Sequence, residues 1–354
     1  MKQCKINFTD YGRYFDKTEE VIIKLLRRKY EVVISPEPDY LFYGAFGYNH
    51  LHPKYSRCVK IFYSCENRFP DFNVCDYALA HSHLQFDDRH FRMPYYMLDR
   101  AFGDKTEALD APCREFEKMS NVCTLEKDAA LSRKFCCFLA SSGWADPVRS
   151  SFFEALSAYK RIDSGGRCLN NMNNVLVPNK MAFLKDYKFS MAFENSSLSG
   201  YTTEKIMNAL AADTVPVYWG DPDVGLDFNK EAFVCVNDFD TIEEAVAEIM
   251  RLDNDDEAYL QKLYAPRCTG ANYAEWEEAL FRFLANVVDQ PFEDAKRTSN
   301  YGHVYSHKRD MTAMRFLFSK NKFVAKFIRK VLRFLEKVAL KRQKHDVNNS
   351  APIE

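Results

Sequence analysis

Lys205 and Glu204, at the start of an expected helix, are the first sign of chemistry in this chain. A helix N-terminus carries free N–H groups and a partial positive charge, so a lysine in its first turn is unfavourable unless an anion is held there. Phosphate is the obvious anion. As an isolated pair, Glu204-Lys205 reads more simply as two solvated residues on a crossover helix, so the neighbours must decide. A second carboxylate, Glu66, follows an apolar run at 59–63 and precedes Pro70, which prevents a following helix. A loop acid at the end of such a strand stands on the rim of its domain and faces a cleft, although a solvated loop acid is the plain alternative. Arg167 follows Gly165-Gly166; paired glycines allow close backbone approach to a ligand, or simply a turn before a surface arginine. His81, His83 and His90 lie near Asp87 and Asp88, but neither His pair has helical i, i+4 spacing and Pro94 follows closely. They read as surface histidines rather than metal ligands.

The elements that must position these residues are legible from periodicity. Phe189, Met191 and Phe193 alternate with small or polar residues, as in a half-buried strand that runs out at Glu194-Asn195-Ser196. Gly200 permits a tight turn, Thr202 or Thr203 can cap a helix, and Ile206, Met207, Ala209 and Leu210 share one face of it. Residues 215–219 are rich in strand formers, which completes a β-α-β unit. In open α/β sheets ligands bind beyond the carboxyl ends of the strands, so the loop 194–203 belongs at the site.

Taken in order, 5–8, 31–35, 40–43 and 59–63 read as strands, with a helix at 18–30; 135–140 opens a second domain. A helix follows from 147 to 159 with Pro147 in its first turn. One more strand at 233–236 and helices at 241–252, 257–264 and 273–288 close the second fold.

Several of these segments together carry a resemblance. FENSSLSGYTTEK followed by VPVYWG, over about thirty positions, resembles the signature of the α-1,3-fucosyltransferases of glycosyltransferase family 10, which move L-fucose from GDP-fucose onto oligosaccharides. Tyr63 with Glu66-Asn67, then Asp76-Tyr77-Ala78 and Arg92-Met93-Pro94, match further family segments. The sequence departs from the family at Cys65, where bacterial relatives often have glycine, and at Arg68, where some have a second acid; both bear on acceptor fit. The resemblance implies an inverting transfer from GDP-β-L-fucose to O3 of GlcNAc in N-acetyllactosamine, a Lewis-x-type product. Glu66 falls on the family's catalytic base and Arg167 on a phosphate-contacting arginine, with Lys205 beside the diphosphate. Tyr201, Asn195 and Glu204 complete the GDP-fucose site, and Tyr63 shapes the fucose or acceptor side. The implied fold is α/β of GT-B type, two Rossmann-like domains facing across a cleft, with a C-terminal amphipathic helix. Expected boundaries are 1–133 for acceptor binding, 134–290 for GDP-fucose and 291–354 for a linker and tail. Another class of glycosyltransferases holds a divalent metal with Asp-x-Asp, a pattern that Asp221-Pro222-Asp223 satisfies. Pro222 stiffens a turn there and the two acids are no part of the signature, so no metal is expected to be required. Transfer to O4, another GDP-sugar, and a non-catalytic glycan- or nucleotide-binding protein are the rival readings.

At 354 residues and 47% hydrophobic composition the chain can bury two cores. A net charge of −1 offers no global basic surface for nucleic acid. It hides an asymmetry, because residues 320–344 carry ten Lys or Arg against one acid. At about 100° per residue, Phe323, Val324, Phe327, Ile328, Val331, Leu332 and Leu335 fill one half of that helical wheel and basic residues the other. Such a helix suits an anionic membrane surface; packing on the protein itself is the alternative. Eleven cysteines, an odd count without CxxC, read as reduced thiols. The first residues lack a signal-peptide core, so a cytoplasmic bacterial location, peripheral to the inner membrane, is expected.

Overall fold

In the computed structural model, residues 1–12, 15, 21–98, 122–269, 273–299 and 302–320 are described, with 326, 327, 330 and 331 beyond them. Eleven strands form two sheets among these residues. The first has the order β2-β1-β3-β4-β5-β6, from β1 (Gln3–Thr9), β2 (Glu31–Ile34), β3 (Tyr40–Tyr43), β4 (Val59–Tyr63), β5 (Tyr77–Ala80) and β6 (His90–Arg92). The second has the order β11-β10-β9-β7-β8, from β7 (Lys134–Phe138), β8 (Ile162–Ser164), β9 (Tyr187–Phe193), β10 (Val215–Trp219) and β11 (Val234–Cys235). Every pairing is parallel. Both units are thus the expected α/β kind, since parallel strands need crossovers and the crossovers cover the sheet faces.

That cover corrects the reading of β9 as half-buried. All seven of its residues are buried, because helices pack on both faces. Its polar positions survive by reaching partners: the Lys188 ammonium lies 3.9 Å from both Asp253 and Asp256 and over the Tyr259 ring. The helix Val148–Tyr159 follows Pro147 directly, and Ile242–Asn254 starts with a capping box from Thr241 and Glu244.

The two cores do not respect the boundaries at 133 and 290. Cys123 and Ala130 belong to the core of the second sheet, together with Phe152, Leu156 and Ile249. Tyr96 and Met97, just past β6, pack with Ile206, Met207 and Leu210 on that sheet's other side. Conversely the helix Tyr273–Asp289 does not close the second fold. Its Leu280, Leu284, Val287 and Val288 join Ile22, Leu26, Ile61 and Leu79 in the first core. Periodicity shows that a helix has an apolar face but not which sheet that face meets.

The chain therefore crosses between the units twice, and polar ties mark the crossings. Arg92 donates two hydrogen bonds to the Asp227 carboxylate at 2.8 and 2.5 Å. Asp76, fully buried, accepts from the backbone N–H of Lys60 and of Thr298 at 2.7 Å each and from Lys296 at 2.9 Å, holding the returning segment to β4 and β5. The described cysteines are free thiols. Among the described residues no helix is long and apolar enough to cross a membrane. Most of the basic tail lies outside the described residues; within it, Phe327 and Val331, one turn apart, are exposed.

Candidate active site

The carboxyl ends of the two sheets meet. Asn67, in the loop after β4, donates its side-chain amide to the Ser196 hydroxyl in the loop after β9. Gly200, also in that second loop, lies against the end of β5: a Cβ there would stand 2.5 Å from the His81 carbonyl oxygen, and its φ is +79°. Glycine is thus required twice over, for the left-handed backbone and for the close approach.

The loop 194–203 is organised by two buried carboxylates. Asp221, wholly buried, accepts from the Gly200 and Asp223 N–H groups at 2.9 and 2.8 Å and from the Thr202 hydroxyl at 2.8 Å. Glu194, equally buried, accepts from the Thr203 N–H at 2.8 Å, from the Thr203 hydroxyl at 2.8–2.9 Å and from the Lys205 ammonium at 2.7 Å. Thr203 does occupy the cap position of the helix Glu204–Ala211, but its hydroxyl is turned to Glu194 and caps nothing. Burial opposes the charge on Lys205, yet Glu194 and Glu204 outweigh it and raise its pKa. Burial likewise opposes the Glu204 carboxylate, while Lys205 and Lys180 hold its pKa below the usual value. Both side chains at this helix start are therefore charged.

Arg149, in the first turn of Val148–Tyr159, is 2% exposed and braces the same loop from behind. It donates to the carbonyls of Phe193 and Glu194 and to the Asn195 side-chain oxygen, each at 2.8 Å, and to the Ser142 carbonyl at 3.3 Å. Asn195 is thereby held by a cation rather than left to rotate. Tyr201 is buried, and burial together with Glu194, Glu66 and Glu204 pushes its pKa far up, so the hydroxyl remains a donor.

On the facing side Glu66 is exposed, and its carboxylate has no hydrogen-bond partner among the described residues. Arg167 is exposed and likewise unpaired among them. The reading of Gly165-Gly166 as room for a ligand is corrected. A Cβ at Gly165 would lie 2.3 Å from Val177, and one at Gly166 would lie 2.3 Å from the Ala140 carbonyl, so the protein itself fills that space. Tyr63, at the end of β4, is also a core residue, 6% exposed and edge-on to Tyr11.

His81 overturns the surface reading of the histidines. It is 1% exposed, edge-on to Tyr201 with ring centroids 5.2 Å apart, and neither ring nitrogen has a partner. Burial, with Arg92, His90 and His83 adding to it, pushes its pKa down to about 4, so the imidazole is neutral at pH 7. Among the described residues no three His, Cys, Asp or Glu side chains gather as a metal site, and Asp221 is occupied by its own loop.

Comparison with known proteins agrees with this two-sheet fold. Residues 6–99 match the α-(1,3)-fucosyltransferase FucT N-terminal domain, and residues 130–280 match the C-terminal part of glycosyltransferase family 10. A solved α1,3-fucosyltransferase with GDP-fucose is 30% identical and superimposes with a TM-score of 0.64, covering 82% of this chain and 93% of that one. The chain belongs to glycosyltransferase family 10. An α-(1,3)-fucosyltransferase of Helicobacter pylori is 36% identical over 267 residues, 69% of this chain and 55% of the relative. The human GDP-fucose protein O-fucosyltransferase 3 is 36% identical over 31% of this chain and 25% of its own length. The chain thus spans about half, or less, of the curated relatives that it matches.

For a family 10 chain the motif acids and bases now divide by task. Arg92 ties the two units together and Asp76 holds the returning segment to the first, whereas Glu66 stands in the loop after β4, Arg167 in the loop after β8, and Asn195, Tyr201, Glu204 and Lys205 in the loop after β9 or at the helix start that follows it. Sequence reasoning passed over Glu194, Asp221, Arg149 and His81 as working parts. One signal was available: a cation in a helix first turn, the argument that singled out Lys205, applies equally to Arg149.

Proposed function

We propose that the protein transfers L-fucose from GDP-β-L-fucose, with inversion, to O3 of GlcNAc in N-acetyllactosamine-type glycans. The acceptor O–H bond breaks with its proton passing to the Glu66 carboxylate. The O3–C1 bond forms as the C1–O bond to phosphate breaks, and the electron pair leaves on GDP. Arg167, Lys205 and the N-terminus of Glu204–Ala211 stabilise the diphosphate charge without a required metal. Asn195, Tyr201 and Glu204 orient the nucleotide sugar. In this reading the first sheet's unit receives the acceptor, the second holds GDP-fucose, and the basic tail lies on an anionic membrane surface at the inner face of the cell.

The observation that carries the reading is the contact between Asn67, next to the unpaired Glu66 carboxylate, and Ser196 in the loop that leads to Tyr201, Glu204 and Lys205. A base and an anion site on opposite sides of one cleft are what a single displacement needs. Likeness to a fucosyltransferase solved with GDP-fucose adds the donor. The likeness to protein O-fucosyltransferase 3 supports a second acceptor class, a Ser or Thr hydroxyl of a protein.

The test is GDP release and product formation from GDP-fucose in EDTA, with N-acetyllactosamine, an O4-only acceptor and an unfolded peptide as acceptors. Fucosylated N-acetyllactosamine from wild type and none from Glu66→Ala, with GDP-fucose still bound, is the expected result. Transfer to peptide alone would replace the glycan acceptor, and binding without any turnover would replace the enzyme by a binding protein.

A further inference from the structure

We infer that Glu194 is a positioning residue that trims the charge of Lys205 and thereby sets how readily the GDP product leaves. The inference rests on the reading of Lys205 as a diphosphate contact. Glu194 cannot itself meet a ligand: it has no exposed surface, and its two oxygens already take the Thr203 N–H, the Thr203 hydroxyl and the Lys205 ammonium. Its side chain is also clamped from the other side. A Cβ on Gly220 would stand 2.5 and 2.7 Å from the Glu194 Cγ and Cβ, so the backbone after β10 presses directly on those methylenes.

Lys205 also donates to the Thr203 hydroxyl at 2.8 Å, so two of its three protons are committed and the third is aimed by the same bonds. A lysine, an arginine and a helix terminus together form a strong trap for a diphosphate. Attraction exerted equally on donor and product does nothing for the chemical step and slows release, a step that limits many enzymes. A buried carboxylate directly behind the lysine removes part of that uniform attraction while leaving the lysine's position unchanged. Partly buried Glu204 adds to that field, but it makes no hydrogen bond to Lys205 and is paired toward Lys180 at 3.6 Å.

The sign of one measurement separates this role from a merely structural one. Glu194→Gln keeps the shape and one acceptor for Lys205 but removes the charge. GDP binding to the full chain, followed by titration calorimetry, should tighten about tenfold, with kcat and the KM for GDP-fucose falling together. A structural role predicts weaker binding, and binding no tighter than wild type overturns the inference. Lys205→Met should weaken GDP binding; if it does not, the diphosphate reading of Lys205 falls first. Should Glu194→Gln fail to fold, the double variant Glu194→Gln/Lys205→Met leaves no unpaired buried charge. It should bind GDP as Lys205→Met does, and a further tenfold loss would overturn the inference.

Discussion

The loop after β9 is held by three buried side chains, Glu194, Asp221 and Arg149, whereas the loop after β4, which it touches at Asn67 and Ser196, leaves Glu66, Arg68 and Phe69 exposed. The difference suits what each side does in the proposed reaction. An anion site gains from donors that are fixed before the ligand arrives, because the reorganisation is already complete when charge develops. A base that meets a neutral sugar hydroxyl needs reach and an unoccupied carboxylate, and a buried, fully bonded acid offers neither. In the proposed reaction, rigidity on the nucleotide side and openness on the base side are parts of one mechanism.

Four experiments break or sharpen that contrast. On the open side, Glu66→Gln should cost about 10²–10⁴-fold in kcat while the melting temperature and GDP-fucose affinity stay near wild type; coupled assay and calorimetry read the two halves. On the braced side, Arg149→Met strands three carbonyls and Asn195, and should cost about 3 kcal/mol of stability in chemical denaturation, with weaker GDP-fucose binding. At the seam between them, His81 is held neutral with a pKa of about 4 against an ordinary 6.5. Below pH 6.5 the unfolded chain takes up a proton that the folded one refuses, so stability falls as pH drops toward 4, on the order of 3 kcal/mol at most. Above pH 6.5 the imidazole is neutral in both states and contributes no slope. His81→Phe should flatten that limb of the melting-temperature profile. The smallest effect is expected for Gly200→Ala, about 1–3 kcal/mol from a left-handed backbone and contact with the His81 carbonyl, seen in denaturation and as a raised KM for GDP-fucose.

Much of this architecture was legible in the residues alone. The β-α-β unit around Gly200, the helix behind Pro147 and the strand that delivers Glu66 follow from local periodicity and breakers, which act over a few positions and leave their mark in order along the chain. The residue types that can take a proton or hold a phosphate, and their spacing around FENSSLSGYTTEK, were equally plain. Tertiary structure alone decided which buried charges face each other. Nothing local pairs Arg149 with Asn195, turns the Thr203 hydroxyl from its helix cap to Glu194, closes Gly165-Gly166 against Ala140, or sends the helix Tyr273–Asp289 back to the first sheet. Each of these depends on groups brought together from distant positions, where burial makes an unpaired polar atom costly and so forces a partner that sequence spacing cannot name.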